Sequence, residues 1–331
     1  MSQPIDRRQF IGQTAAAGAA AAVLGKRALA QGGSGKSMVV KAVRPNAVQG
    51  KKPDPKVVRE MVHAVVVKLS GKTSPEAAWK TYIKPDDVVG VKVNCLFGVG
   101  ACTHPCVTEA VVEGIRMAGV PADKIIVWDR EDKHLQKSGY TPGRKDGVLY
   151  TGVNGDWEEQ PTRFADCDGR FAKILTEKIT ALVNVPILKS HVRSGMTFCL
   201  KNHYGSFHNP GSAHGGGPKT VHGGTCDPYI ADLNALPVIR QKTRLFVCDA
   251  LRPVANRGPM VQPRWTYTEN TILAGLDPVA IDYVGLKMLD AHRKTVDLPS
   301  LEETGSARCL FTAATKGLGV ADMSKIAIVE A

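Results

Sequence analysis

Short β-branched runs alternate with amphipathic helical segments along most of this chain, and that alternation is the strongest constraint on its fold. Strands are predicted at residues 37–43, 88–93, 124–128, 181–188, 245–248, 271–274 and 325–329. Helices are predicted, from apolar residues at helical spacing, at 55–69, 74–83, 105–118, 195–203, 228–238 and 278–289. Such alternation is typical of a mostly parallel sheet covered by helices on both faces. The sequence therefore predicts an α/β fold, with a polar, glycine-rich excursion and a hairpin at 141–168.

Polar side chains follow several of the predicted strands at the point where each strand ends. These residues are Asn94, Asp129, Lys189, His191 and Asp249. In open parallel sheets, ligands bind beyond the carboxyl ends of the strands. We therefore expect these side chains to form one polar rim, and we expect that rim to be the functional site.

The segment 189–226 holds five of the nine histidines and contains no Asp or Glu, which is unusual for a surface loop. Glycines let the backbone approach a ligand closely, and imidazole and thiol groups ligate metals. We predict that the long glycine- and histidine-rich loop at 206–227 covers the strand ends, and that the segment binds a divalent metal or a metal-bearing cofactor. The candidate metal ligands are His203, His208, His214, His222 and Cys226. Their spacing matches no standard zinc motif, and we expect two or three of them to be ligands.

Three residues are candidates for catalysis, namely His191, Lys201 and Lys189. Imidazole titrates near neutral pH, so His191 suits an acid or a base; alternatively, its ring satisfies loop carbonyls. A partly buried Lys201 with a lowered pKa suits a base, an electrophile or a covalent attachment point; otherwise it binds an anion or forms a salt bridge. The residues expected to contact a cofactor are Asn94, His104, Asn202, Gly205 and Asp249.

The N-terminus carries an arginine pair, Arg7–Arg8, before an alanine-rich apolar stretch, and Ala28–Leu29–Ala30 fits the small-x-small pattern of a signal peptidase site. Residues 1–30 are therefore predicted to be a twin-arginine export signal, with an ordinary secretory signal or a retained anchor as alternatives. Residues 31–331 are predicted to form a single α/β domain. We expect the twin-arginine translocase to export it, already folded, to the periplasm.

Eight cysteines are present, and an even number permits disulfides in an exported protein. The most closely spaced are Cys95, Cys102 and Cys106, although these intervals are not common in iron–sulfur proteins. An iron–sulfur electron-transfer protein with a redox partner is therefore a further hypothesis. Because Cys102 and Cys106 flank the start of a predicted helix, a lowered thiol pKa is expected there, or a disulfide.

The formal net charge is +12, and the basic residues are scattered with few aromatic residues among them. Nucleic-acid-binding proteins instead concentrate basic residues on one face. We therefore expect no nucleic-acid partner. This charge favours an anionic small molecule as the ligand, or alternatively it serves only to keep an exported protein soluble.

Six motifs, in order, resemble the domain-of-unknown-function 362 family (DUF362). They are VVGVKVN (88–94), THP (103–105), PILKSH (186–191), GMTFCLKNHYG (195–205), CDA (248–250) and LAGLDPVAIDYVG (273–285). The resemblance extends from about residue 85 to residue 290, which is most of the predicted domain. Members of that family are sometimes joined to ferredoxin-type iron–sulfur domains, so the resemblance alone implies no cluster in this domain.

The same region is similar, more distantly, to the N-terminal domain of the lactate racemase family. The shared order is Thr-x-Pro, a helix, a glycine, and then a histidine followed ten residues later by a lysine. In that family the histidine acts in acid/base chemistry and the lysine tethers a nickel pincer nucleotide. The resemblance implies these roles for His191 and Lys201, and nickel ligation by His214 or His222. This sequence departs from that family at His104, where the family has an arginine, and at 196–200, which replace a glycine-rich segment.

These observations favour an exported enzyme that uses a metal or a metal-bearing cofactor for proton or hydride chemistry on an anionic small molecule. In this hypothesis His191 is the acid/base and Lys201 is the anchor or electrophile. The alternative is a periplasmic metal- or ligand-binding protein without turnover. Asp277 and Asp282 are expected to be structural, with Asp277 as the N-cap of a helix.

Overall fold

The computed structural model describes residues 35–214 and 226–331. Its strands, in chain order, are β1 (Ser37–Val43), β2 (Val48–Gln49), β3 (Lys52–Pro53), β4 (Val89–Lys92), β5 (Ile125–Asp129), β6 (Gly143–Lys145), β7 (Val148–Gly152), β8 (Thr162–Phe164), β9 (Cys167–Gly169), β10 (Ala181–Asn184), β11 (Ile187–His191), β12 (Gly195–Thr197), β13 (Thr243–Val254), β14 (Thr271–Gly275) and β15 (Ile326–Glu330). Its α-helices are α1 (Pro55–Ser70), α2 (Pro75–Lys80), α3 (Pro105–Met117), α4 (Asp132–Lys137), α5 (Tyr229–Ala235), α6 (Pro237–Arg240), α7 (Pro278–Thr295) and α8 (Arg308–Thr315).

The central sheet is mixed and mostly parallel. Its middle consists of parallel neighbours in the order β13–β10–β4–β5–β7, so that Val91 of β4 pairs with Val183 of β10 and with Val127 of β5. The antiparallel strands β14 and β6 flank this middle, and β1 and β15 extend the sheet beyond β14. The predicted excursion at 141–168 contains the β6–β7 hairpin and much of the β8–β9 hairpin. The α/β fold class predicted from the strand–helix alternation is confirmed.

The chain changes its direction of travel across the sheet at β4. From β4 it moves outward to β5 and β7, and it then returns to add β10 and β13 on the other side. Connections that leave two adjacent strands in opposite directions open a crevice at their carboxyl ends. Lys92 ends β4 and Asn184 ends β10, so these two residues mark that crevice.

Helices cover both faces of the sheet. α1 and α3 pack on one face, where Val62 and Ile115 share a core cluster with Val91. α5 and α7 pack on the other face, where Leu233 and Ile281 share a second cluster with buried strand residues. Full burial of one such side chain contributes about 1.5–3 kcal/mol. The two layers therefore hold the strand ends in fixed positions.

Local sequence explains where the main helices begin. Asp277, the predicted N-cap, accepts hydrogen bonds of 2.9 Å from the backbone N–H groups of Val279 and Ala280 at the start of α7. Proline occupies the first turn of α1, α3 and α7, where its missing N–H has no partner to lose. The predicted capping role of Asp277 is confirmed.

Prolines divide two of the predicted elements. Pro186 separates β10 from β11 within the predicted strand 181–188, and Pro237 begins a new helix within 228–238. Proline lacks the N–H that a strand ladder or a helix interior requires. Beyond Pro186 the chain pairs with the second half of β13, where Lys189 lies opposite Val254.

The predicted helix at 195–203 is wrong. Residues 195–197 form β12, which returns antiparallel to β11, and a 3-10 helix follows at Lys201–Ser206. Gly195 has a φ of 74°, and a Cβ atom there would lie 2.7 Å from the backbone of Ser306. Only glycine fits this close approach, so the segment turns sharply where a helix was expected.

Two predicted features lie outside the described residues, namely the export signal at 1–30 and His222. Of the covering loop, the structure describes residues 206–214 together with Cys226 and Asp227. No helix within 35–214 or 226–331 is both long enough and apolar enough to cross a membrane.

Candidate functional site

A cavity of about 430 Å³ lies beyond the carboxyl ends of β4, β5 and β11, beside the crevice of the sheet. Its lining includes Asn94, Asp129, Lys189, His191, Lys201 and His214. We call this cavity the strand-end pocket. Four of the five residues predicted to form the polar rim, Asn94, Asp129, Lys189 and His191, line this pocket, and Asp249 does not. The three catalytic candidates line it together.

Lys201 and His214 form a hydrogen-bonded pair in the strand-end pocket. The Nζ atom of Lys201 lies 3.0 Å from Nε2 of His214, and Nδ1 of His214 lies 2.6 Å from the carbonyl oxygen of Pro210. Because a carbonyl oxygen only accepts, Nδ1 of His214 carries the ring proton of the neutral imidazole. Its Nε2 is therefore left with a lone pair, which accepts an N–H of Lys201.

Burial shifts the titration of both partners. Lys201 is 6% exposed, and burial lowers the pKa of its amine to about 7. Burial, followed by the nearby charge of Lys201, lowers the pKa of His214 to about 4. The Nζ atom of Lys201 also lies 3.2 Å from the centroid of the Tyr204 ring, which favours its charged form. Near neutral pH, His214 is therefore neutral while Lys201 exchanges between ammonium and amine.

His191 completes this cluster. Its ring stacks against that of His214 with 5.7 Å between the centroids, and its Nδ1 accepts the backbone N–H groups of Arg193 at 3.1 Å and Ser194 at 3.3 Å. The proton of the neutral ring is therefore on Nε2. Burial, followed by the charge of Lys201, lowers the pKa of His191 to about 2. His191 thus presents an N–H donor at neutral pH, which suits binding an anion better than accepting a proton.

Lys189 is held by amide and carbonyl oxygens. It is 1% exposed, and its Nζ donates to Asn94 Oδ1 at 2.9 Å and to the carbonyl of Ala101 at 2.6 Å. Burial lowers its pKa to about 8. Asn94 in turn donates to Asn202 Oδ1 at 3.1 Å, and Asn202 donates to Asn184 Oδ1 at 2.7 Å. This chain of amides fixes Lys189 against the ends of β4 and β10.

Asp129, which lines the pocket, is held in a buried ion pair. Lys92 Nζ lies 2.7 Å from Asp129 Oδ1, and Asp129 Oδ2 accepts the backbone N–H of Cys95 at 2.6 Å. A Cβ atom on Gly205 would lie 2.6 Å from Asp129 Oδ1 and 2.9 Å from Lys92 Nζ. Gly205 therefore lets the 3-10 helix pack directly on the ion pair. Its expected contact with a cofactor stays a prediction.

Cationic groups outnumber carboxylates around the strand-end pocket. Arg130 and Arg193 join Lys189 and Lys201 in its lining, where Asp129 supplies a carboxylate. Since Asp129 is already paired with Lys92, its charge is compensated. The electrostatic field of the pocket therefore favours a bound anion.

Asp282 is a positioning residue that sequence reasoning treated as structural. Its carboxylate, on α7, accepts the backbone N–H groups of Cys199 at 2.7 Å and Leu200 at 3.1 Å. Burial raises the pKa of Asp282 to about 7. These two bonds fix the turn that delivers Lys201 to the pocket. The sequence pattern that could have identified Asp282 is its place within the apolar run AIDYVG, because a buried carboxylate needs a hydrogen-bond donor.

Lys92 was likewise not predicted to belong to the site, and the sequence pattern that could have identified it is similar. It lies inside the apolar strand VVGVKV, where a lysine is buried only when its charge is paired. The sequence indicated that a partner exists. It did not indicate that the partner is Asp129 on the neighbouring strand.

His104 and Asp249 pair with each other and are not among the residues that line the pocket. Asp249 Oδ2 accepts the backbone N–H of His104 at 2.8 Å and lies 2.7 Å from its Nδ1. Burial lowers the pKa of His104, but the charge and hydrogen bond of Asp249 raise it more, so that the pKa is raised above its ordinary value. This pair joins the start of α3 to β13. Both residues are engaged with each other, and their expected contact with a cofactor stays a prediction.

His203 and His208 do not join His214. His203 is buried, with Nδ1 3.1 Å from Ser206 Oγ and Nε2 3.4 Å from Asn184 Nδ2, so both ring nitrogens have partners in the core. His208 Nδ1 accepts the backbone N–H of Arg170. The described residues therefore do not bring His203, His208 and His214 together as metal ligands, because each ring is committed to a different part of the fold.

Cys226 is fully buried behind Lys201 and Tyr204, and burial raises the pKa of its thiol. Residues 35–214 and 226–331 contain no group of three or more His, Cys, Asp or Glu side chains that could hold a metal ion. Both ring nitrogens of His214 also already have hydrogen-bond partners. The described residues therefore do not supply a three-donor site for a metal ion, and the predicted ligand His222 lies outside them.

The thiols near the start of α3 are not activated. Burial raises the pKa of Cys102 to about 11 and that of Cys106 to about 12. Burial likewise raises the pKa of Cys95. The prediction of a lowered thiol pKa is therefore wrong, because burial outweighs any effect of the helix N-terminus.

The fold and the pocket together define an α/β protein. Its cationic cavity lies where the chain reverses the direction in which it adds strands to the sheet. Residues 89–287 match the family model described as "Domain of unknown function (DUF362)". The match spans more than half of the 331 residues. The chain therefore belongs to this family, as its motifs predicted.

One similar solved structure is the crystal structure of a protein from Thermotoga maritima. Its alignment with this chain has a TM-score of 0.41 and 11% sequence identity. The alignment covers 81% of this chain and 60% of the Thermotoga maritima protein. The chain thus spans about 60% of the length of that protein. None of the curated proteins matches this sequence.

Proposed function

We propose that this protein is an enzyme that moves a proton at a carbon atom next to the carboxylate or carbonyl group of a small organic anion. The observation that carries this proposal is the 3.0 Å contact between Lys201 Nζ and His214 Nε2 inside a cationic pocket. An amine whose pKa is about 7 supplies both a base and an acid at neutral pH.

Lys201 is the proton-transferring group. With one N–H directed to His214, the neutral amine keeps its lone pair for the substrate. The substrate proton moves from carbon to Nζ, the C–H electron pair delocalises into the adjacent carbonyl or carboxylate group, and the resulting ammonium still donates to His214. Return of the proton from Nζ to a neighbouring carbon on the same face gives an isomerisation. Return to the same carbon after the planar intermediate has turned over in the pocket gives an epimerisation, and neither route involves net oxidation.

His191 and Lys189 bind and stabilise the anion. The N–H at Nε2 of His191 and the ammonium of Lys189 are donors suited to the oxygen atoms on which negative charge develops. Such donors act strongly when they are fixed before the reaction begins. The backbone N–H groups on His191 Nδ1 and the amide of Asn94 on Lys189 supply that fixation.

This proposal keeps the proton chemistry and the anionic substrate that the sequence favoured, and it requires no metal ion or iron–sulfur cluster. A protein that binds the anion without turnover is the alternative outcome. The two differ in one observable, because only the enzyme replaces a carbon-bound hydrogen with deuterium from the solvent.

The test is deuterium incorporation from D₂O into a panel of 2-hydroxy, 2-oxo and 2-amino carboxylates, read by proton NMR. We expect at least one of them to exchange with the wild type, and Lys201→Met to lower that rate about a hundredfold or more. The control is Lys68→Met, because Lys68 is exposed on α1 and remote from the pocket. Exchange at the wild-type rate in Lys201→Met would exclude Lys201 as the proton-transferring group. Tight binding of a panel member without exchange of any compound would instead indicate a binding protein.

We also propose export by the twin-arginine translocase, with the folded protein acting in the periplasm. The arginine pair Arg7–Arg8 and the apolar stretch after it support this route. The test is cell fractionation of the full chain beside the double variant Arg7→Lys/Arg8→Lys. Export lost in the variant supports the route, and equal export of both forms argues against it.

A further inference from the structure

A second cavity lies at the end of the strands opposite the strand-end pocket. It is next to the first residues of β13 and the segment that leads into β4. Its volume is about 320 Å³, which is within the range of small-molecule sites. It is lined in part by Tyr82, Lys84, Arg240, Arg244, Phe246 and Leu318. We call it the basal cavity. It shares no lining residue with the strand-end pocket.

Two half-buried arginines in the basal cavity are without partners. Among the described residues, neither the guanidinium of Arg240 nor that of Arg244 forms an ion pair or a hydrogen bond, and the amine of Lys84 is likewise unpaired. An arginine presents a planar fork of donors that matches a carboxylate or phosphate group. A protein that half-buries such groups without a partner places them where an anion can bind.

The carboxylates in the basal cavity do not take up these cations. Asp87 accepts the backbone N–H of Lys84 at 2.9 Å and the hydroxyl of Thr180 at 2.7 Å. Asp277 caps α7 and also accepts the hydroxyl of Ser37 at 2.7 Å. Both acids are therefore committed to the fold, and the arginines remain available to a ligand.

Tyr82 supplies an independent indication of a ligand. Its side chain lines the basal cavity and is 9% exposed, yet its hydroxyl has no hydrogen-bond partner in the part of the chain that the structure describes. Burial raises the pKa of this phenol, so the hydroxyl remains protonated and able to donate. Buried hydroxyl groups are normally hydrogen-bonded. The hydroxyl oxygen of Tyr82 has almost no accessible surface, so it donates to a ligand oxygen atom only after the side chain turns towards the cavity.

The remaining wall is apolar. Ile239, Phe246 and Leu318 are buried side chains that contribute hydrocarbon surface to the cavity. We propose that the basal cavity binds an amphipathic monoanion, that is, a carboxylate attached to an aromatic or short aliphatic body. The carboxylate would bind between Arg240 and Arg244, with Tyr82 donating to one of its oxygens.

The test is isothermal titration of the full chain with naphthalene-2-carboxylate, beside naphthalene-2-methanol as a neutral compound with the same apolar body. We expect the carboxylate to bind and the alcohol to bind at least tenfold more weakly. The double variant Arg240→Gln/Arg244→Gln should weaken carboxylate binding at least tenfold. Tyr82→Phe removes one hydroxyl while keeping the ring, and it should weaken binding about threefold to tenfold.

Two controls locate the bound molecule. Arg264→Gln changes an exposed arginine that lines neither cavity, and it should leave the affinity unchanged. Lys201→Met changes the strand-end pocket and should also leave it unchanged. The proposal is overturned if the native protein binds no carboxylate at millimolar concentration, if the alcohol binds equally well, or if only Lys201→Met reduces binding. Because Tyr82→Phe keeps the buried ring, its effect is readable even if the double variant fails to fold.

Discussion

The carboxylate of Asp282 accepts a hydrogen bond of 2.7 Å from the backbone N–H of Cys199, across more than eighty residues of sequence. A second bond, from Leu200, reaches the same carboxylate at 3.1 Å. Together they attach the turn before Lys201 to helix α7, which is packed on the sheet. The position of the proposed catalytic lysine is therefore set by an element that does not line the pocket.

Asp282→Asn should change how stability depends on pH. The folded-state pKa is raised to about 7 from an ordinary value of 3.8, so the folded protein binds more protons than the unfolded chain between these values. Stability contributed by this group is therefore present below about pH 3.8 and is lost as pH rises towards 7. Between about pH 4 and pH 8 the free energy of unfolding of the wild type should fall by roughly 1–4 kcal/mol more than that of the variant. Urea unfolding at both pH values measures this difference, with exposed Asp123→Asn as the control. Parallel pH curves for wild type and Asp282→Asn would contradict it.

Deuterium exchange catalysed by the wild type should rise with pH and level off above about pH 7, because the neutral amine of Lys201 is the base and its pKa is about 7. His214→Ala should move the midpoint to lower pH, since loss of a hydrogen-bond acceptor destabilises the ammonium. A pH–rate profile of both proteins measures this shift. A wild-type midpoint near pH 4, the pKa of His214, would instead assign the base to the imidazole.

Gly205→Ala should destabilise the protein by about 1–3 kcal/mol, because the new methyl group would overlap the buried ion pair of Asp129 and Lys92. Thermal or chemical unfolding measures this loss. Gly211→Ala is the matched control, since its methyl group would meet nothing closer than 3.5 Å. Equal stability of the two variants would indicate that the ion pair moves aside without cost.

His104→Asn should weaken the fold more at low pH than at high pH. Asp249 holds the pKa of His104 above its ordinary value of 6.5, so the stabilisation is fully present below that value and is lost as pH rises through the folded-state pKa. Loss of this charged hydrogen bond should cost about 1.5–3 kcal/mol near pH 5.5 and less near pH 9. Denaturant unfolding at the two pH values tests this, and a penalty that grows with pH would refute the pairing of charges.

Local patterns located most of the elements around the pocket. β4, β5 and α3 lie close to their predicted positions because apolar periodicity reports which side chains face a core. The same patterns missed the hairpin made by β11 and β12. Its turn depends on the close approach of Gly195 to Ser306, a contact that no short window of sequence contains.

The sequence predicted where the site lies, but only some of the residues that form it. Polar residues at strand ends identified Asn94, Lys189 and His191, because the carboxyl ends of parallel strands meet at one edge. Asp282 and Lys92 were not identified as parts of the site. Each is a charge within an apolar run, a pattern that indicates a buried partner without indicating which residue it is.

The sequence by itself determined the order of strands and helices, the polar rim and the excess of basic groups. Only the tertiary structure decided which histidines share the pocket. His191 and His214 stack there, whereas His203 turns into the core towards Asn184. The physical reason is that the path of the chain after Lys201 depends on the packing of Gly205 against Asp129 and Lys92, which are distant in sequence and adjacent only in the folded sheet.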